Sequence, residues 1–262
     1  MKNVAAMRNS PASSHPGGFA ERGLTLIEML IAILIGLFLT GGLLTLVQAM
    51  KRTSLNQSGL SQPQDNERMA MTLITDVIKS TGYYPNPVVN SQAASFPVKN
   101  YNANANFTFA GQALVGTGNY AAGSNIITSR YQTAGGDNVI NCTGNSQGAA
   151  ATFVNTFSLD GAGNLQCTLI INNGQPTTVP LISGITNMQI YYGVQTNGGA
   201  ATNSVDTYMD APTVTAGNYW NSVKSIMITL TFVNPMFGQP QQPQTIQFTR
   251  VIAVMDKNGV TT

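Results

Sequence analysis

Hydrophobic and polar positions follow three different rhythms along this chain. Residues 24–47 form an apolar run whose single charge is Glu28. As a helix rising about 1.5 Å per residue it would be roughly 36 Å long, enough to cross a hydrocarbon core of about 30 Å. A second rhythm follows, with Met69, Ala70, Leu73, Ile74, Val77 and Ile78 recurring at steps of three and four. This spacing predicts one face of an amphipathic helix packed on a sheet, with Asp65, Glu67, Arg68, Asp76 and Lys79 on the other positions. Gly82 is a natural stop, and Pro85 and Pro87 prevent resumption. Pro63 lacks an amide hydrogen and crowds the preceding turn, so a kink or short break is expected there.

After residue 83 the period falls to two. In Val223–Val233, Ile226, Ile228, Leu230 and Phe232 alternate with Met227, Thr229 and Thr231; in 244–255, Ile246, Phe248, Ile252 and Val254 share a face. Pro235, Gly238, Pro240 and Pro243 lie between the two runs, which predicts an antiparallel hairpin with an irregular connection. Weaker strand patterns cover 125–132, Ala151–Leu159, 164–171 and Ile185–Val194. Residues 86–125, rich in Asn, Ala and Gly, read as a long surface loop region. The class is α+β: a long hydrophobic N-terminal helix, transmembrane and then amphipathic, packed on a mainly antiparallel β-sheet domain.

Charge changes the meaning of the first run. A carboxylate inside a membrane span is costly and points to function by default; the plainer account is a signal anchor tolerating one Glu. Residues 1–23 hold Lys2, Arg8 and Arg22 against Glu21, and contain no apolar core of their own. A secretory signal puts its small-residue cleavage site after the apolar core, whereas here the small residue, Gly23, precedes it. A cut after Gly23 would leave the helix as the new N-terminus, with the amine of Leu24 four positions from Glu28 and able to compensate it. The leader would remove three of the twelve basic and one of the ten acidic side chains. Nine of each remain, so the mature chain is neutral and offers no electrostatic footprint for nucleic acid.

The run Arg22-Gly23-Leu24-Thr25-Leu26-Ile27-Glu28 resembles the type IV prepilin signal, with Leu24 standing where that family usually has Phe. The resemblance implies cleavage between Gly23 and Leu24 by prepilin peptidase, N-methylation of Leu24, and roles for Glu28 and Thr25 in assembly and register beside the previous subunit. Further along, the run from Ile185 through Tyr191-Tyr192-Gly193-Val194, then Val205-Asp206-Thr207-Tyr208, Trp220 and Val223-Lys224-Ser225-Ile226 are similar to PilW-like minor pilins in order and spacing. Asn66, Arg68 and Thr81-Gly82-Tyr83 are similar to the segment after that family's anchor. The implied divisions are a leader at 1–23, a transmembrane or filament helix at 24–53, an amphipathic continuation at 54–82 and a β-rich pilin domain at 83–262. The implied location is the inner membrane, crossed once with the globular domain in the periplasm, and then the pilus at the cell surface. The implied partners are other minor and major pilins, prepilin peptidase, the membrane and the inner-membrane assembly platform, with no nucleic acid.

Cys142 and Cys167 are the only cysteines, 25 positions apart. In an exported domain such a pair reads as one disulfide, against free buried thiols or redox or metal chemistry. The only His, His15, is in the leader, and no cofactor or metal is expected. The mature chain has no Walker-type loop, no Gly-x-Ser-x-Gly and no adjacent paired carboxylates, so no enzyme is expected. The glycine groups Gly116/Gly118, Gly135/Gly136 and Gly198/Gly199 read as turns. Residues 195–206 offer Gln195, Asn197 and Asn203 with Asp206 as their only carboxylate, which is thin for calcium. Three functional readings remain: a minor pilin that primes or caps a pilus, an adhesin-like tip subunit, and a type II secretion pseudopilin. The second would use loops in 86–150 and exposed tyrosines such as Tyr101, Tyr120 and Tyr131.

Overall fold

Helix α1 (Leu26–Lys79) opens at Thr25 and carries Pro63 inside it. The computed structural model describes residues 25–197 and 204–254; at 56–60 and 62 it describes the backbone alone. The chain divides into two units, Met1–Ser54 and Leu55–Thr262. In the first, the apolar side chains of α1 are exposed on every side, Leu30, Leu34 and Phe38 among them. Its hydroxyls are satisfied within the helix: Thr40 Oγ1 donates to the Gly36 carbonyl at 2.6 Å, and Thr45 Oγ1 to that of Gly42 at 2.8 Å. Such back-bonding lets a hydroxyl exist in surroundings that offer no water.

In the second unit the helix runs through Pro63 without the short break that the sequence allowed for, and Pro63 is itself buried. The buried arc is Ala70, Met71, Ile74, Val77 and Ile78. Met69, expected in that stripe, is instead 55% exposed, and Met71 takes its place because the buried arc is centred one position further round the helix. Gly82 ends the helix at φ 78°, and its amide donates to the carbonyl of Arg130 at 3.0 Å, tying the helix end to a strand.

Two antiparallel sheets receive this arc. The first orders β3 (Leu114–Thr117), β4 (Ile126–Thr133), β5 (Ala151–Leu159), β6 (Leu165–Ile171) and β7 (Thr177–Ile182) as a meander. The second orders β11 (Thr245–Ala253), β10 (Val223–Val233), β8 (Ile185–Val194) and β9 (Thr207–Met209). The predicted hairpin is there: β10 and β11 pair from Ser225↔Ala253 to Val233↔Thr245 without a shift. Odd positions of the first sheet (Ile127, Tyr131, Phe153, Phe157, Cys167) and even positions of the second (Met188, Ile190, Tyr192, Ile226, Ile228, Leu230) meet α1 in one core. The period of two forces this sorting of faces.

Residues 119–125 stitch the sheets together. The Asn125 amide donates to the Met188 carbonyl at 2.9 Å, and Asn125 Oδ1 accepts from the Ile190 amide at 2.8 Å. Tyr120 stacks on Tyr191 with ring centroids 3.8 Å apart.

The region 86–125 is therefore more than a surface loop. It forms α2 (Gln92–Ser95), the small ladder of β1 (Lys99–Asn100) with β2 (Asn106–Phe107), and β3. It buries Phe96, Ala105, Phe107, Ala113 and Leu114. Phe107 and Ala105 cover Val154 and Ile170 on the outer face of the first sheet, making a second, smaller core. A short helix, α3 (Ala211–Ala216), capped by Asp210, completes the described elements together with single turns at Tyr120–Ala122 and Tyr219–Ser222.

Candidate functional site

The N-terminal turn of α1 is built by two side chains. Thr25 and Glu28 cap it reciprocally: the Glu28 amide donates to Thr25 Oγ1, and the Thr25 amide and hydroxyl both reach Glu28 Oε2, each at 3.4 Å. This is a capping box, in which two amides without helical partners are satisfied at once. The Thr-x-x-Glu spacing announces it in the sequence, although the prepilin reading assigned both residues to assembly alone. A carboxylate there also complements the positive end of the helix dipole. Gly23 and Leu24, the expected cleavage and methylation positions, lie outside the described residues.

Behind the box, Leu26–Leu55 is long and apolar enough to cross a membrane, with none of its most apolar stretch buried. An exposed apolar surface of that extent must be covered by lipid or by other helices.

The expected disulfide is present. Cys142 and Cys167 are bonded, with Cα atoms 6.2 Å apart, and both are fully buried. Cys142 lies in a turn and Cys167 in β6, as their flanking residues suggested. The Cys142 amide donates to Asn155 Oδ1 on the intervening strand β5 at 2.8 Å.

In 195–206, Asp206 Oδ2 accepts from the amides of Thr196 and Asn197 at 2.8 and 3.1 Å. Those backbone hydrogen bonds, that from Asn197 foremost, hold its carboxyl below the usual range. The carboxylate is engaged in closing its own loop; Asn203 lies outside the described residues. Tyr131, expected to be exposed, is fully buried, with its hydroxyl donating to the Ile140 carbonyl at 2.6 Å. Tyr101 and Tyr120 are half-buried. Gly116 also departs from the turn reading, since it lies in β3, while Gly135 and Gly136 adopt the positive φ of turns.

Comparison with known families reports on both ends of the chain. Residues 19–44 match the prokaryotic N-terminal methylation motif. With the capped, exposed apolar helix, this makes the chain a prepilin-like protein with a membrane-anchoring N-terminal segment. Residues 150–254 match the family described as Type IV Pilus-assembly protein W, and this segment spans β5 to β11. The chain is thus a type IV pilus-related pilin with a PilW-type domain, as the resemblance implied. No curated protein matches it.

Proposed function

We propose that this protein is a minor pilin that takes part in priming type IV pilus assembly at the inner membrane and remains at the pilus tip, without catalysis. The observation carrying the proposal is the co-occurrence, in one chain, of the methylation motif on an uncovered apolar helix and a PilW-type domain. Prepilin peptidase cuts after Gly23 and Leu24 is methylated. The helix waits in the bilayer until the assembly platform moves it among the helices of neighbouring minor and major pilins. There Glu28 meets a subunit's terminal amine, which offsets the cost of a carboxylate in an apolar bundle.

Two experiments test this. Replacing Gly23 with a bulky residue leaves the leader attached, seen as a larger species on a gel; normal processing sinks the cleavage assignment. Deleting the gene abolishes pili if the protein primes assembly. Normal pili that fail to attach assign it to adhesion, and normal pili with impaired protein secretion assign it to a pseudopilus.

A further inference from the structure

The second sheet ends in an unguarded edge at β11 (Thr245–Ala253). Its register against β10 fixes which backbone groups are used. The Val254 amide donates to the Lys224 carbonyl at 2.9 Å, and the Asn234 amide to the Gln244 carbonyl at 3.0 Å. Both contacts join even-numbered residues, and in an antiparallel ladder hydrogen-bonded pairs alternate with unbonded ones. Ile246, Phe248, Arg250 and Ile252 therefore bond to β10. Thr245, Gln247, Thr249, Val251 and Ala253 point their amides and carbonyls the other way, off the sheet. None of these outward groups has a partner among the described residues. At about 3.4 Å per residue they line roughly 27 Å of edge.

Such an edge is a template for another chain, and proteins block it with proline, bulges, short strands or charge. The other described edges are blocked. Pro180 sits inside β7, β3 has four residues, β9 three, and β1 and β2 two each. β11 has nine residues, no proline and no shift in its register with β10. Its single charge, Arg250, lies on the core face with Glu67 at 3.7 Å and does not guard the edge. On that face Ile246 and Phe248 are only half-buried, and on the opposite face Val251 is 54% exposed. One added strand would cover these side chains and satisfy the outward backbone groups together.

We propose that β11 pairs with an extended, uncharged segment of a neighbouring pilin of a different kind, apolar at alternate positions. That the neighbour is a pilin rests on the assembly reading above; that the edge takes a strand does not. Arg250 is already matched by Glu67, so the edge offers a charged segment no counterion. A second copy fits poorly because of direction. Antiparallel pairing of two β11 strands is a two-fold arrangement that reverses every direction lying in the sheet. The parts of α1 packed on the sheets would then run opposite ways, whereas both chains enter the same membrane. Parallel self-pairing would set them on opposite faces of the joined sheet, apart rather than in one bundle. Residues 255–262 leave β11 at its far end and must turn before returning, so they would meet only its last positions.

The test begins with residue-resolved hydrogen exchange of the full chain in detergent micelles. The amides of Gln247, Thr249 and Val251 should exchange fast, and those of Phe248, Arg250 and Ile252 slowly. Equal protection of both sets would mean that the edge is already covered, and overturns the proposal. A photoreactive residue in place of Gln247 is then activated on cells that make pili. Adducts with an extended segment of another pilin are expected. Val251→Pro, which removes one outward amide and spares the β10 ladder, should lower their yield several-fold, while Val251→Ala keeps it. Adducts with copies of this chain, adducts with non-pilin proteins alone, or no adducts overturn the proposal, as does an unchanged yield in Val251→Pro. If Val251→Pro does not fold, the exchange pattern and the identity of the adduct still decide. Loss of pili on gene deletion without adducts at position 247 sinks this inference alone. Non-pilin adducts, with normal pili after deletion, sink the assembly reading as well.

Discussion

Tyr192 packs edge-on against Trp220, ring centroids 4.9 Å apart, and its hydroxyl is buried with no hydrogen-bond partner among the described residues. Burial drives the hydroxyl's pKa upward. A buried hydroxyl left unsatisfied costs about 1–3 kcal/mol, so Tyr192→Phe should hold or raise stability by up to about 1 kcal/mol in urea unfolding. A loss would mean that the hydroxyl has a partner after all. Its neighbour explains a misread glycine: a Cβ on Gly116 would lie 1.9 Å from Tyr192 Oη. Gly116→Ala should therefore destabilise by about 1–3 kcal/mol. The sequence suggested a turn there because glycine is commonest in turns, whereas here it leaves room for a tyrosine distant in sequence.

Three aspartates in loops act on the same scale. Asp137 is held below its usual pKa chiefly by the Thr133 hydroxyl, Asp160 by the Asn164 side chain and Asp206 by the Asn197 amide. Because each folded-state pKa is depressed, its contribution is present above the unfolded value of about 3.9 and is lost as pH falls through the lower folded value. Acidification below about pH 4 should then speed hydrogen exchange at Ala134, Ala162 and Thr196 ahead of the strands. Uniform exchange across loops and strands would contradict this.

Among elements, α1 has an observed role at Glu28, the capping box, beside the assembly role proposed for the same residue. If Glu28 acts in assembly through its charge, Glu28→Gln, which keeps a side-chain oxygen for the capping box, should insert in the membrane normally yet enter pili poorly. Wild-type incorporation of Glu28→Gln would leave the box as the residue's sole role. The regular strands were legible because alternation over seven or more residues is hard to imitate; Ala151–Leu159, Ile185–Val194 and Val223–Val233 match their expected bounds. β7 was not legible, since Pro180 sits inside it; the structure places it at a sheet edge, where a missing donor is tolerated. The six residues of α3 are too few to display a helical period, and its signals are the Asp210 cap and an early proline. Residues 96–113 escaped notice because carbonyl ties to Arg130, rather than an apolar rhythm, fasten them.

Across the whole of the second unit, stability depends on joining two sheets that share a core. Hydrophobic faces account for much of it, and the hydrogen bonds of Asn125 fix one sheet against the other. The disulfide adds a covalent constraint within the first sheet's region, closing a loop across a separation of 25 residues. Its loss in a Cys142→Ser, Cys167→Ser variant should cost roughly 3–4 kcal/mol by the chain-entropy relation, measured by denaturant unfolding. The intact mass should rise by two hydrogens on reduction after unfolding; no change would disprove the bond. Site legibility followed the same division. The prepilin signal is contiguous and could be read from adjacent letters, while the buried seat of Arg130 is assembled from separate stretches and exists only once they are folded.

Both sulfurs of that bond are sealed from solvent by the finished core. An oxidant can reach the thiols only while the first sheet is still open, so the bond records the order of events during folding. A chain that closes its core before oxidation keeps two inaccessible thiols, and a chain oxidised in time is shielded from reductants until it unfolds. The pair thus acts as a timing mark, dividing molecules by their history.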